Sequence, residues 1–194
     1  MLRVEPHSGE SLRALLPLLA RLRIEVFRDW PYLYEGSLDY EDRYLGRFLD
    51  APDHIAICAF DGSELIGAST AVPLRHEPEE FTAPFVQAGL AAGDIFYFSE
   101  SILRGAYRGR GLGHAFFDGR EQHAHALGYA KTAFCGVIRP ENHPSRPADY
   151  RPLDAFWRKR GYRPLDGIVA RLSWLDVGER QETLKPLQFW GKGF

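Results

Sequence analysis

The order of strand-like and helix-like segments predicts an α+β domain. Three observations carry that prediction. An aromatic and β-branched run, Ile95 to Leu103, passes through a glycine-rich turn into a segment with helical spacing. Two apolar runs, His54 to Phe60 and Glu64 to Leu74, flank Asp61-Gly62, a dipeptide that favours a tight hairpin. Two helix-period stripes precede them. At 194 residues and 45% hydrophobic content, the chain is long enough for one domain with a real core and too apolar for a disordered one.

Leu2 to Glu5 reads as a short first strand. Leu12, Leu15, Leu16, Leu19, Leu22 and Val26 recur at helical spacing, with Pro17 as a kink or early break because proline lacks the N–H that a helix interior uses. A second helix is expected from about Leu38 to Leu49, with Tyr40, Tyr44, Leu45 and Phe48 on one side. The hairpin strands and the Ile95 strand follow. Leu112, Ala115, Phe116, Gly119, His123, Ala126 and Leu127 then mark a helix. Thr132 to Ile138 is a strand, Leu153 to Arg160 a helix, and strands are expected near Tyr162 and from Ile168 to Trp174. No repeat, low-complexity tract or linker divides the chain. The tail from Leu175 ends in Phe189-Trp190-Gly191-Lys192-Gly193-Phe194, and terminal aromatics imply docking onto the domain or a partner.

Charge and cysteine usage exclude several classes. The formal net charge is −2, which argues against bulk electrostatic binding to nucleic acid or membrane. The charge is unevenly spread: residues 1–100 hold 8 basic and 17 acidic side chains, residues 101–171 hold 13 and 6. A basic C-terminal block suits an anionic ligand and an acidic N-terminal half suits a cationic one. The two cysteines, Cys58 and Cys135, lie inside apolar strand-like runs and read as buried thiols. The Leu-rich stretch after Ser11 is interrupted by Arg13, Pro17, Arg21 and Arg23 and cannot span a bilayer. The start, Met1 to Pro6, does not read as a signal sequence, so a cytoplasmic protein is expected. His123 and His125 are two apart on a helix and point to different faces, so no metal is expected.

Tyr107-Arg108-Gly109-Arg110-Gly111-Leu112-Gly113 lies on the strand-to-helix turn. Free backbone N–H groups and the positive end of a helix converge there, and glycines let a phosphate approach without meeting a Cβ. A dinucleotide-binding G-x-G-x-x-G fails, because its last position is His114 from Gly109 or Phe116 from Gly111. The P-loop pattern also fails, since no Gly-Lys-Ser/Thr follows. Arg108, Gly111 and Gly113 instead satisfy Arg-x-x-Gly-x-Gly. That spacing resembles the coenzyme A signature of the GNAT superfamily of N-acetyltransferases. Ala155-Phe156-Trp157-Arg158-Lys159-Arg160-Gly161-Tyr162 is similar to the family's closing segment, and the element order over residues 1–174 is similar to its layout.

The resemblance implies a mixed, mostly antiparallel sheet of about seven strands, splayed between the fourth and fifth, over residues 1–174, with 175–194 as a C-terminal extension. It implies acetyl-CoA as co-substrate and direct attack of an amine in a ternary complex, the acceptor being a small molecule or amino-acid-like primary amine. By residue-wise match, Arg108, Gly109, Arg110, Gly111 and Gly113 carry the pyrophosphate, Leu103 contacts pantetheine and His114 adds a donor. Glu100, on the fourth strand, is the first candidate for general base. Trp157 stands where many members have a tyrosine that protonates the departing sulfur, so the acid is displaced or absent; Tyr150 is the nearest substitute. The loop Arg139 to Pro152 is long enough to line a site, with His143 as base or acceptor contact. Trp30, Tyr32 and Tyr34, with Glu35 beside them and Glu77, Glu79 and Glu80 in the insertion from Arg75 to Asp94, are expected to wall the acceptor pocket. A non-catalytic acyl-CoA sensor is the alternative, and the oligomeric state, a homodimer among the options, stays open.

Overall fold

The computed structural model describes residues 1–194. Its strands are β1 (Leu2–His7), β2 (Ile55–Asp61), β3 (Glu64–Pro73), β4 (Ile95–Leu103), β5 (Lys131–Val137), β6 (Arg163–Trp174) and β7 (Thr183–Lys192). Its helices are α1 (Gly9–Arg13), α2 (Leu16–Phe27), α3 (Leu38–Asp50), α4 (Glu79–Gln87), α5 (Leu112–Ala126) and α6 (Asp154–Lys159). One seven-stranded sheet has the order β1-β2-β3-β4-β5-β7-β6. Every neighbouring pair is antiparallel except β4 and β5, which are parallel.

Pro17 breaks the first helical stripe in two. It sits in the first turn of α2, where its missing N–H has no intrahelical partner to lose. The expected helix from Leu38 is α3, opened by Ser37, whose hydroxyl accepts from the Tyr40 N–H at 3.4 Å. The Asp61-Gly62 turn joins β2 to β3, with Gly62 at φ 60°. Strand alternation then splits β2 between two cores. Ala56, Cys58 and Phe60 face Leu12, Leu19, Leu22, Leu45, Phe48 and Leu49 from the first three helices. Ile55, Ile57 and Ala59 face Leu112, Phe116, Phe117 and Ala124 of α5. Gly119 lets α5 approach β2 closely, since a Cβ there would fall 2.7 Å from Ile57 Cδ1. A third core joins Leu74 and Phe85 to Ile95, Tyr97, Ala133, Ile168, Ala170, Leu187 and Phe189.

Three elements differ from the sequence expectation. The insertion from Arg75 to Asp94 contains the helix α4, which carries Pro84 inside it and buries Phe85 against Phe189. The two strands expected near Tyr162 and from Ile168 are one strand, β6, whose register slips between Pro164 and Val169. Residues 183–192 of the expected extension form β7, which lies between β5 and β6 and pairs with both. Phe189 and Trp190 are buried there as core residues. No helix is long and apolar enough to cross a membrane.

Candidate active site

The glycine turn is built as an anion cradle. Arg104, at the end of β4, is held by Glu25 at 2.9 Å and by Glu64, so β4 is tied to α2 and β3 before the turn begins. Gly109 and Gly111 then take φ 76° and 82°, a conformation that costs an L side chain roughly 1–2 kcal/mol. The N–H groups of Gly109, Arg110, Gly111, Leu112 and Gly113 donate to no protein acceptor; the first intrahelical donors are His114 and Ala115, both to Gly111 O. Arg108 and Arg110 are exposed beside them. Arg108 Nε donates to Leu103 O at 3.3 Å, and Arg110 lies over the Tyr107 ring at 5.1 Å. Tyr107 is pinned through its hydroxyl, which donates to Asp61 Oδ2 at 3.2 Å. Five free donors, two exposed cations and the positive end of a helix suit a pyrophosphate. His114 is exposed and rests edge-on against Phe156, 4.9 Å between centroids.

The turn opens beside a split in the sheet. β4 pairs with β5 only from Ile95 to Tyr97, opposite Lys131 to Ala133. β5 continues against β7, so the second half of β4 has a free edge on that side. Its other edge carries a bulge: Thr70 faces Glu100, but Val72 faces Tyr97, one residue too many on β4. Arg120 braces this stretch from below. It is 1% exposed, donates to Glu100 O at 3.0 Å and Ser101 Oγ at 2.9 Å, and lies over Phe98 at 4.4 Å. Burial pulls its guanidinium down to about 9. It falls four residues after Phe116 and four before Ala124, on the buried stripe of α5; that spacing was the signal for it.

Across the sheet lies a second, more acidic wall. Arg23 of α2 is buried between Phe27 and Tyr44, 5.2 and 4.1 Å from their centroids, and ion-pairs with both Glu41 and Glu100. Glu100 thus stands at the split with its side chain 5% exposed, its Oε2 on Arg23 and its Oε1 buried without a partner. Ser99, its neighbour on the bulge, donates to Glu77 Oε1 at 2.7 Å. Tyr97 Oη and Cys135 Sγ are 3.0 Å apart at the last β4–β5 pair. Burial pushes the Cys135 thiol up to about 12, so it is neutral at physiological pH. Both cysteines are free thiols.

Three of the expected acceptor-side residues, Trp30, Tyr32 and His143, come together with Tyr150, the candidate acid. Trp30 meets His143 at 5.1 Å and Tyr150 at 5.8 Å between centroids, which folds the 139–152 loop over the connection between α2 and α3. Tyr32 joins them: Arg139 donates to Tyr32 O at 2.6 Å and Pro31 O at 2.8 Å, and also clamps Asp176 at 2.6 and 3.0 Å. Lys185 closes the cluster, 3.2 Å from Asp176. Arg139 and Asp176 were not singled out in the sequence, because their partnership joins segments far apart in the chain. Tyr34 is bridged through its backbone to Asp176 of this cluster, while its ring packs against Tyr40 at 6.1 Å at the helix corner. Glu35 pairs with Arg28. Trp157 is wedged between Phe134 and Trp190, 5.0 Å from each. A surface depression of about 580 Å³ between Asp53, Arg75, Asp94 and Lys131 opens at the opposite ends of β4 and β5, where its charges pair with each other.

A sheet split beside a glycine-rich helix start, with an acidic aromatic wall behind it, suits an extended anionic ligand. The family model of the acetyltransferase (GNAT) family matches residues 19–162, and the chain belongs to that family. Its fold is shared by an N-acetyltransferase from Staphylococcus aureus Mu50, at 14% identity, TM-score 0.59, covering 98% of this chain and 97% of that one. It is shared also by a paia N-acetyltransferase from Thermoplasma acidophilum in complex with coenzyme A, at 13% identity, TM-score 0.57, covering 100% and 99%. A ribosomal-protein-alanine N-acetyltransferase from Brucella melitensis aligns at 15% identity, TM-score 0.57, covering 98% of each chain. No curated protein matches the chain at the sequence level.

Proposed function

We propose that the protein transfers an acetyl group from acetyl-CoA to the primary amine of a small-molecule or amino-acid-like acceptor, by direct attack in a ternary complex. The observation that carries the reading is the row of five unbonded N–H groups, Gly109 to Gly113, set beyond the end of the unpaired stretch of β4. Arg108, Gly109, Arg110, Gly111 and Gly113 would hold the pyrophosphate, Leu103 would meet the pantetheine arm and His114 would add a donor from the helix start. The free edge of β4 offers backbone N–H groups for a thioester oxygen as charge develops on it. Trp30, Tyr32 and His143 form the acceptor wall, Tyr150 beside them is the candidate acid for the departing sulfur, and the carboxylates around Arg23 favour a cationic amine.

Trp157 favours a second reading, a non-catalytic acyl-CoA sensor, because its packed indole is no acid for a departing thiolate. A thiol near 8.5 leaves tolerably without one, so the enzyme reading stands first. The test is thermal denaturation with acetyl-CoA, coenzyme A and NAD, on the native chain and on Arg108→Ala/Gly111→Ala. At a hundredfold excess over Kd, binding adds about 2.7 kcal/mol of stability. A shift with acetyl-CoA, lost in the variant, and thiol release with amines is the expected outcome. A shift without turnover on a broad amine panel selects the sensor, and no shift ends both readings.

A further inference from the structure

Resting on the acetyl-transfer reading above, we infer that Glu77, and not Glu100, is the general base that takes the proton from the acceptor ammonium. The two carboxylates reach the same bulge of β4 from different directions and differ in what they have free. Glu100 is committed: one oxygen is on Arg23, the other is buried, and the side chain is 5% exposed. It has no oxygen that an acceptor can reach. Glu77 is half-buried just past β3, takes a hydrogen bond from Ser99 on Oε1, and makes no ion pair. Its Oε2 is bonded to no protein group and is not sealed from solvent. The Ser99 bond fixes the carboxylate beside the split in the sheet, on the side walled by α2 and α3.

The groups around Glu77 set its proton affinity. Burial raises it; the Ser99 hydrogen bond and the positive charges of Arg47 on α3 and Arg23 on α2 oppose this, and the net effect is upward. Arg23 is already shared by Glu41 and Glu100, which reduces the positive charge it offers to Glu77. Tyr44 from α3, Tyr97 from β4 and Cys135 from β5 also face it, all neutral at physiological pH since burial pushes each of them up. A carboxylate whose proton affinity is raised in this way is a better-matched base for an ammonium than an ordinary glutamate.

The step balances without a further reagent. The ammonium proton passes to Glu77 Oε2 and from there to solvent. The freed nitrogen pair forms the C–N bond to the acetyl carbon while the C–S bond breaks, its electron pair leaving on sulfur. The surplus proton on nitrogen goes to that sulfur, giving amide and free thiol.

The test compares the native chain, Glu77→Gln and Glu100→Gln with acetyl-CoA and three probe amines: phenethylamine, putrescine and trifluoroethylamine. The first two are ammonium ions at pH 7, whereas trifluoroethylamine is mostly neutral and needs no proton removed before attack. Glu77→Gln is expected to lower kcat for the first two by about a hundredfold or more, to spare trifluoroethylamine, and to leave the acetyl-CoA melting shift intact. The acidic limb of the native pH profile, lying above the ordinary glutamate range, should vanish in Glu77→Gln and stay in place in Glu100→Gln. Carbon-detected titration of labelled glutamate should show a signal with the pKa of that limb, absent from Glu77→Gln. An unmoved limb in Glu77→Gln, or equal losses on all three amines, overturns the inference and leaves the acetyltransferase reading standing. No turnover by the native chain overturns both.

Discussion

Arg23 sits where two buried carboxylates meet, and its removal would leave both Glu41 and Glu100 without a countercharge. Breaking a buried ion pair from one side costs about 3–5 kcal/mol, whereas replacing every charged member with apolar groups is often neutral. Arg23→Met should therefore be strongly destabilised in urea titration, and Arg23→Met/Glu41→Leu/Glu100→Leu should recover most of the loss. Additive losses across the set would show that the charges act independently. Gly111 makes a different demand. At φ 82° it faces open space, so alanine there meets no neighbour and suffers only backbone strain. Gly111→Ala should lose roughly 1–2 kcal/mol and weaken acetyl-CoA binding together, since the strain reorients the N–H groups of the cradle.

At the scale of elements, the proposed acceptor wall depends on a cluster that joins three segments. Asp176 binds Arg139 from the loop after β5 and Lys185 from β7, while Glu35 N–H and Val177 N–H tie the first connection to the segment after β6. Burial works to raise the Asp176 carboxyl, but hydrogen bonds from Arg139 and Lys185 outweigh it and hold it below the usual range. A depressed folded pKa contributes stability that is fully present above the unfolded value, near 3.9, and is lost as pH falls through the folded value. The prediction is an acid limb in melting temperature below about pH 4 that is flattened in Asp176→Asn. Unchanged acid unfolding in that variant would remove the cluster from the account. β7 is equally consequential. Ending the chain after Trp174 removes the strand between β5 and β6, and circular dichroism should show loss of the cooperative fold.

Across the whole molecule, the sheet is two halves joined by three residue pairs between β4 and β5. The free edge of β4 past Tyr97 is where a ligand can complete the hydrogen bonding. Amides of Phe98 to Leu103 that face the split should exchange rapidly in the free protein and slow down with acetyl-CoA, while those of β2 stay protected throughout. Equal protection with and without ligand would argue that nothing enters the split. The glycine turn, the hairpin, the two early helical stripes and the family resemblance were all legible in the chain, because each is set by contiguous residues. Turn chemistry and helical periodicity act over four to seven positions, and the sequence by itself determined them. Glu77 was read there only as one of three acidic residues with Glu79 and Glu80, and Glu100 as free to act. Tertiary structure set their surroundings: Arg23 holds Glu100, and Ser99 holds one oxygen of Glu77. The place of β7 and the Arg139 clamp were decided in the same way. Pairing between distant segments depends on which buried charge finds which partner, and spacing along the chain does not encode that.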